Sequence, residues 1–156
     1  MSAGSLALVP TPYDDPVAAG LVETLQREYV QRYGGGDRTP VDPGEFAPPR
    51  GLFLVGRVDG VPMACGGWRL VPGEPELAEV KRMYVAVDFR GRGLSRVVLA
   101  ALEASARAAG VRRFRLETGA RQPEGLQLYR TSGYESVERF GIYAEHQGSN
   151  FLGKNL

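Results

Sequence analysis

The chain has 156 residues, and this length predicts a single domain over residues 1–156 with room for a sizeable core. The net charge is +1, so no strong field favours nucleic acid or a membrane surface as partner. The one cysteine, Cys65, excludes an intrachain disulfide and a cysteine-based metal site, and we expect no bound metal. The chain shows no signal-peptide pattern and no long apolar run, so we expect a cytoplasmic protein without a membrane segment.

The first half of the chain predicts a short strand, a helix and a long hairpin. The strand is expected over residues 6–9. Two aspartates precede Pro16, which suits a helix start, and apolar residues recur at helical spacing as far as the glycines at 34–36. Four prolines predict an irregular loop over residues 39–50. Strands over 52–58 and 61–71 are joined by an Asp-Gly turn, and two glycines at 66–67 predict a bulge or a close backbone contact.

The second half alternates strands and helices. Strands are predicted over residues 77–87, 111–118, 134–138 and 151–156, and helices over 94–109 and 123–131. If the strand at 77–87 alternates regularly, one side of it presents Glu79, Lys81, Met83 and Val85 and the other presents Arg82 and Tyr84. The order of elements predicts an α/β (α+β) fold, with a mixed and partly antiparallel sheet covered by helices on both faces.

The segment Arg90-Gly-Arg-Gly-Leu-Ser95 joins a predicted strand to a predicted helix. A glycine turn at a helix start can present unpaired N–H groups to a phosphate, and the alternative is an ordinary tight turn with a basic rim. A Walker loop is excluded because its Gly-Lys-Ser/Thr ending is missing. The dinucleotide fingerprint fails because Arg96 stands where its third glycine belongs.

Three motifs together resemble the GNAT superfamily of acyl-CoA N-acyltransferases. They are Glu79-Val-Lys-Arg-Met-Tyr-Val85, the turn at 90–95, and Leu128-Tyr-Arg-Thr-Ser-Gly-Tyr134. Arg90 and Gly93 match the family signature Gln/Arg-x-x-Gly-x-Gly/Ala. Its last position is Ser95, which departs from Gly/Ala but is also a small residue. The likeness extends from about residue 51 to 134. It implies a mostly antiparallel sheet with one splayed pair of strands.

The resemblance also implies a donor and its binding residues. Acetyl-CoA is expected as the co-substrate, with its pyrophosphate on the turn formed by Arg90, Gly91, Arg92, Gly93, Leu94 and Ser95. In the family, the strand before this turn holds the pantetheine arm through backbone hydrogen bonds. By that likeness, Val85 and Val87 would present their backbone groups to the arm.

Acyl transfer to an amine needs an acid for the leaving thiolate and a route for the amine proton. Tyr129 stands where the family commonly places its general-acid tyrosine, and the alternative is a packed core tyrosine. Glu79 matches the strand glutamate that acts as base in the histone acetyltransferase branch. The alternative is a strand glutamate paired with a neighbouring arginine. Glu117 is the reserve candidate, and many family members use a chain of waters instead.

The resemblance predicts an N-acetyltransferase that moves the acetyl group directly to a primary amine, most simply on a small molecule. Residues expected to line the acceptor pocket are Tyr29, Tyr33, Trp68 and Arg82. The alternative function is a non-catalytic acyl-CoA binding or sensing domain on the same fold. A homodimer is possible, as is common among relatives, and the acceptor itself stays open.

Overall fold

The computed structural model describes residues 5–156. A single seven-stranded sheet runs in the order β1-β2-β3-β4-β5-β7-β6, and three helices pack against it. The strands are β1 (Leu6–Pro10), β2 (Gly51–Val58), β3 (Val61–Val71), β4 (Glu74–Val85), β5 (Arg113–Gly119), β6 (Glu135–Ser136) and β7 (Ser149–Asn155). The helices are α1 (Pro16–Tyr33), α2 (Leu94–Ala108) and α3 (Pro123–Thr131). The predicted mixed, mostly antiparallel α/β fold is confirmed.

Local signals set most element boundaries. The Asp15 side chain accepts a hydrogen bond from the Val17 N–H at the start of α1, and Gly34 ends this helix in the left-handed region at φ 81°. Asp59 and Gly60 both have positive φ, as a two-residue hairpin turn between β2 and β3 requires. The predictions from the Asp-Pro start, the glycine stop and the Asp-Gly turn are therefore confirmed.

The only parallel pairing among the described residues joins β4 to β5, and it is short. It covers Leu77–Glu79 on β4 and Arg113–Arg115 on β5. Beyond these residues the two strands separate, while β4 keeps its antiparallel partner β3 as far as Val85. The separation opens a gap in the sheet, as the family resemblance implies.

A bulge in β4 changes which side chains face each way. Cys65 pairs with Tyr84 but Gly67 pairs with Lys81, so β4 holds one extra residue there, and Arg82 has φ 60°. The predicted alternation is therefore wrong from Arg82 onward. Lys81 and Arg82 both contact Asp37, whereas Met83 packs towards α2.

Of the two alternatives predicted at Gly66-Gly67, the close contact is confirmed. The bulge at this point of the β3–β4 pairing belongs to β4. A Cβ on Gly67 would lie 2.6 Å from the Phe53 ring and 2.8 Å from the Leu52 carbonyl oxygen, so a side chain has no space there.

Two cores lie on opposite faces of the sheet. The larger one packs α2 against β2–β5, and its helix side is Val98, Leu99, Leu102 and Ala106. The smaller one packs α1 and the segment before β2 against the other face through Leu25, Phe46 and Phe53. Burial of each large apolar side chain contributes about 1.5–3 kcal/mol to the free energy of unfolding. The two cores therefore hold the separated strands in place.

Two predicted strand boundaries are wrong. The strand expected over 77–87 ends at Val85, because Val87–Phe89 form a 3-10 turn in which the Phe89 N–H donates to the Ala86 carbonyl. The strand expected over 134–138 shrinks to Glu135–Ser136, which pair with Gly153 and Leu152 on β7.

Candidate active site

A cavity of about 370 Å³ occupies the gap between β4 and β5. Residues 80–85 of β4 and 116–119 of β5 form two of its walls. α1, the start of α2 and α3 contribute further walls. Before and at the start of β7, the lining residues are Tyr143, His146, Gly148 and Ser149. The cavity therefore brings together most of the elements that carry the predicted site residues.

The start of α2 fits an anionic group. Gly91 and Gly93 have φ values of 79° and 75°, which only glycine adopts readily, and no side chain caps the helix. The first N–H groups of a helix have no partner within it and carry the positive end of its dipole. Gly91, Gly93, Leu94 and Ser95 line the cavity, so these donors are available to a pyrophosphate.

Arg90 lines the cavity and reaches back to its own strand. Its Nε donates to the Val85 carbonyl at 2.8 Å, and its Nη2 pairs with Glu28 Oε2 of α1 at 2.7 Å. Glu28 is shared, since Arg32 also pairs with it at 3.2 Å. Arg90 thus links the turn before α2 to α1 at the side of the cavity.

Two residues predicted to bind the donor lie outside the cavity lining. Val87 is 67% exposed, and its carbonyl accepts the N–H of Arg90 within the 3-10 turn. Arg92 turns away, because its guanidinium lies over the Phe89 ring at 5.2 Å and donates to the Asp88 carbonyl. Val85 does line the cavity, but its carbonyl already accepts from Arg90.

Tyr129 of α3 lines the cavity and is 7% exposed. Its ring packs edge-to-face on Tyr134 with centroids 5.6 Å apart. Burial, reinforced by the nearby charge of Glu117, raises the pKa of Tyr129 above its usual range. The hydroxyl therefore stays protonated at neutral pH and can act as a hydrogen-bond donor.

Tyr134 is in turn fixed by a buried ion pair. Its hydroxyl donates to Glu103 Oε2 at 2.8 Å, and Lys154 Nζ contacts both Glu103 oxygens at 3.1 Å. These contacts join α2 to β7 and to the start of β6, next to the Tyr129 ring.

The structure does not bring Glu79 into the main cavity. Its carboxylate pairs with Arg115 of β5 at 3.6 Å, in the last pair before the strands separate. Glu79 lines a second cavity of about 20 Å³ together with Lys81 and Glu117. This volume is about that of one water molecule. Glu117 borders both cavities, so it stands between Glu79 and the main one.

Three of the four residues predicted for the acceptor pocket line the cavity. Tyr29 and Tyr33 come from the end of α1, and Arg82 comes from the bulge of β4. Trp68 does not: it is 2% exposed in the core against α2, where its Nε1 donates to Ser105 Oγ at 2.9 Å. β3 is a central strand, so its side chains pack into the two cores instead of facing the gap.

Sequence reasoning missed Asp37, which lines the cavity and binds several of its polar side chains. Asp37 Oδ2 accepts from Lys81 Nζ at 2.8 Å and from Arg82. Its Oδ1 accepts from the Thr39 hydroxyl at 2.7 Å and from the Tyr143 hydroxyl at 3.0 Å. Burial opposes ionisation, but the two cations outweigh it and hold the pKa of Asp37 well below its usual range.

The sequence offered little signal for this cluster. Asp37 follows three glycines in a loop, and its partners lie 44, 45 and 106 positions further along the chain. Tyr143, His146 and Ser149 also line the cavity. They come from the segment after β6, which carries no motif.

Two further observations concern other classes of site. Across residues 5–156, no group of three or more His, Cys, Asp or Glu side chains is placed to hold a metal ion. Within the same residues, every helix is too short or too polar to cross a bilayer.

The splayed strands and the uncapped start of α2 are those of an acyl-CoA N-acyltransferase fold. A solved structure from Klebsiella pneumoniae, assigned to the acyl-CoA N-acyltransferases, is 28% identical and superposes with a TM-score of 0.81 over 97% of both chains. An acetyltransferase from Elizabethkingia anophelis, solved with acetyl-CoA bound, shares the fold at a TM-score of 0.70 and 16% identity, with 97% of this chain and 98% of that chain covered.

The sequence comparisons give the family. Residues 19–134 match the model of the Acetyltransferase (GNAT) family. A protein of Azospirillum brasilense named IAA acetyltransferase is 35% identical over 146 residues, which make up 94% of each chain. The chain belongs to the GNAT family and is an acetyl-CoA-dependent N-acetyltransferase, as the three motifs indicated.

Proposed function

We propose that this enzyme transfers the acetyl group of acetyl-CoA directly to a primary amine of a small molecule, with Tyr129 as the general acid. The observation that carries the proposal is the cavity itself. It is lined at once by the uncapped start of α2, the free edges of β4 and β5, and the Tyr129 side chain. The name of the Azospirillum relative also supports a small-molecule acceptor.

The donor would lie along β4. Its pyrophosphate would take the N–H groups at the start of α2, with Arg90, Gly91, Gly93, Leu94 and Ser95 around it. Charge-assisted hydrogen bonds of this kind are stronger than neutral ones, which favours this placement. Val85 would face the pantetheine arm, since it lines the cavity, whereas Val87 and Arg92 do not line it and are left out of the proposal.

The chemistry follows from the groups around the gap. The amine nitrogen forms a bond to the acetyl carbon, and the carbon–sulfur bond breaks. Tyr129 donates a proton to the departing sulfur, whose ordinary pKa is near ~8.5, like that of a cysteine. Burial that raises the pKa of Tyr129 also disfavours a thiolate beside it, so both groups hold protons more strongly in the cavity.

The acceptor would occupy the end of the cavity that includes Tyr29, Tyr33 and Arg82. The Asp37 cluster holds Lys81 and Arg82 in place there. Location in the cytoplasm and formation of a homodimer stay predictions, and the identity of the amine stays open.

Thiol release from acetyl-CoA against a panel of amines tests the proposal. In Tyr129→Phe, kcat is expected to fall about 100-fold or more, as for loss of a general acid, with KM for acetyl-CoA unchanged. Tyr134→Phe is the matched control, since it removes a buried hydroxyl outside the cavity and should keep kcat within a few-fold. A wild-type protein that binds coenzyme A but turns over no amine would instead be an acyl-CoA binding domain, and the proposal would fail.

A further inference from the structure

Lys81 and Arg82 leave an excess of positive charge at the end of the cavity proposed for the acceptor. Both cations line this cavity, and both pair with the single Asp37 carboxylate. On the basis of the proposed function, we infer that the site selects acceptors that carry a carboxylate besides the primary amine, as an amino acid does. Arg82 is the residue that binds this carboxylate.

The Arg82 guanidinium is buried, yet it keeps donors for a ligand. Its side chain is 4% exposed and borders the cavity. Nε donates to the Tyr13 hydroxyl at 3.2 Å and Nη1 donates to Asp37, whereas Nη2 makes no hydrogen bond to any described residue. The protein does not enclose Nη2, because Arg115 Nε is the one fully enclosed side-chain nitrogen or oxygen in residues 5–156 that lacks a partner. The free N–H groups of Nη2 therefore face the cavity.

Two supports fix the orientation of this guanidinium. The Tyr13 ring stacks on Phe46 with centroids 4.9 Å apart and packs edge-to-face on Phe53, so the hydroxyl that accepts from Nε is anchored in the smaller core. Asp37 holds Nη1 from the loop after α1. A planar guanidinium that is held at two of its nitrogens is pre-organised, and pre-organisation reduces the entropy lost when a carboxylate binds.

The opposite wall of the gap carries the opposite charge. Glu117 of β5 lines the cavity and is near enough to Tyr129 for its charge to act on that hydroxyl. An amino acid at neutral pH carries one ammonium group and one carboxylate. With its carboxylate on Arg82, such an acceptor presents its amine to the Tyr129 side of the gap. A diamine would instead bring a second cation against Lys81 and Arg82, which is unfavourable.

The phosphates of the donor are too far from Arg82 to be its partner in the proposed placement. Arg82 precedes Val85 on β4 by three positions, which is roughly 10 Å of strand, and it lies on the side away from α2. The cation beside the start of α2 is Arg90, which has its own carboxylate in Glu28. The excess charge of Lys81 and Arg82 is thus left for the acceptor.

Matched acceptors test the inference on the wild-type enzyme. Thiol release is measured with alanine, phenylalanine, β-alanine and γ-aminobutyrate, each compared with its own amide, and with putrescine as the diamine. At least one amino acid should exceed its amide in kcat/KM by about 10- to 100-fold, the range for a hydrogen bond to a charged group. The amide is a strict comparison, because its amine is the weaker base and is less protonated at pH 7. Putrescine should be the poorest acceptor.

Arg82→Gln tests the assigned residue. For the preferred amino acid, kcat/KM should fall about 10- to 100-fold through a higher KM, while the amide should stay within a few-fold. KM for acetyl-CoA should not change. Arg82→Lys keeps the charge but loses the planar donors, so it should retain part of the preference. Arg112→Gln is the matched control, since Arg112 is exposed and pairs with Glu76 away from the cavity, and it should match the wild type with every amine.

Several results would overturn the inference. One is a wild type that acetylates other amines at least as well as the amino acids. Another is an equal loss for amino acid and amide in Arg82→Gln, which would indicate that Arg82 only stabilises the fold. If Arg82→Gln does not fold, inhibition of the wild type takes its place: butyrate should compete with the amino acid, and butyramide should not. Equal inhibition by the two would contradict the inference.

Failure of the proposed function gives a different result. In that case the wild type binds coenzyme A in titration calorimetry but acetylates no amine, with or without a carboxylate. Acetylation of amides or diamines without preference for amino acids leaves the proposed function standing and removes the role of Arg82 in selecting the acceptor.

Discussion

The Asp37 carboxylate is a single charge whose loss should strongly destabilise the fold. Asp37→Asn keeps the size of the side chain but removes the charge shared by Lys81 and Arg82. The side chains of the two cations are 11% and 4% exposed, so water can replace little of the lost partner. Removing one member of a buried ion pair typically destabilises a protein by 3–5 kcal/mol. We expect about 3 kcal/mol here, at the low end of that range, because the amide oxygen can still accept hydrogen bonds.

Urea unfolding measures this loss directly. With a slope of about 2 kcal/mol per molar, the midpoint should fall by about 1.5 M. Lys81→Met combined with Asp37→Asn should recover part of the loss, because one of the two unpaired cations is then gone. A double-mutant cycle therefore gives a coupling free energy for the pair. An unchanged midpoint in Asp37→Asn, or strictly additive effects in the cycle, would refute the assignment of Asp37 as the shared counterion.

The pH dependence gives a second test of the same group. The pKa of Asp37 is lowered by folding, so its contribution to stability is fully present above the unfolded value, near ~3.9, and is lost as pH falls through the folded value. The difference in unfolding free energy between wild type and Asp37→Asn should be constant from pH 5 to 7 and shrink below about pH 4. A difference that grows on acidification would contradict this sign.

Two other substitutions test the donor side and the support behind Tyr129. Arg90→Ala should raise KM for acetyl-CoA about tenfold or more, because it removes a charge-assisted hydrogen bond, whereas Arg92→Ala should change KM little. Equal effects of the two variants in saturation kinetics would contradict the placement of Arg90 at the cavity. Glu103→Gln should lower the free energy of unfolding, measured in urea, by about 1–3 kcal/mol, because it leaves Lys154 without its carboxylate. A denaturation midpoint equal to that of the wild type would show that this buried pair contributes nothing to stability.

Short-range signals in the sequence were enough to predict most of the fold. The caps of α1, the hairpin turn at Asp59 and the glycine turn before α2 each depend on a few neighbouring residues whose backbone preferences are strong. The uncapped helix start that we propose as the donor site was predictable for the same reason, since its N–H groups belong to one continuous segment. Val87 was expected on a strand and lies instead in a 3-10 turn, because a turn of three residues leaves no periodic pattern.

The acceptor end depends on contacts that no local pattern contains. Asp37 meets Tyr143 across 106 positions of chain, and Trp68 packs into the core because α2 covers its side of the sheet. Glu79 was favoured by its position relative to Val85. Whether a strand glutamate faces the cavity, however, depends on where β4 and β5 part, and they part just after Glu79.

The bulge at Arg82 explains why the acceptor end has its particular charges. In a regular strand neighbouring side chains point to opposite faces, so Lys81 and Arg82 could not share one carboxylate. The extra residue and the positive φ of Arg82 turn both cations towards Asp37. A left-handed conformation at a residue other than glycine costs roughly 1–2 kcal/mol. The shared ion pair offsets that strain, and the same bulge carries Met83 to the α2 side as β4 leaves β5. The bulge therefore lies just beyond the point where β4 and β5 part, and it places both cations beside the gap.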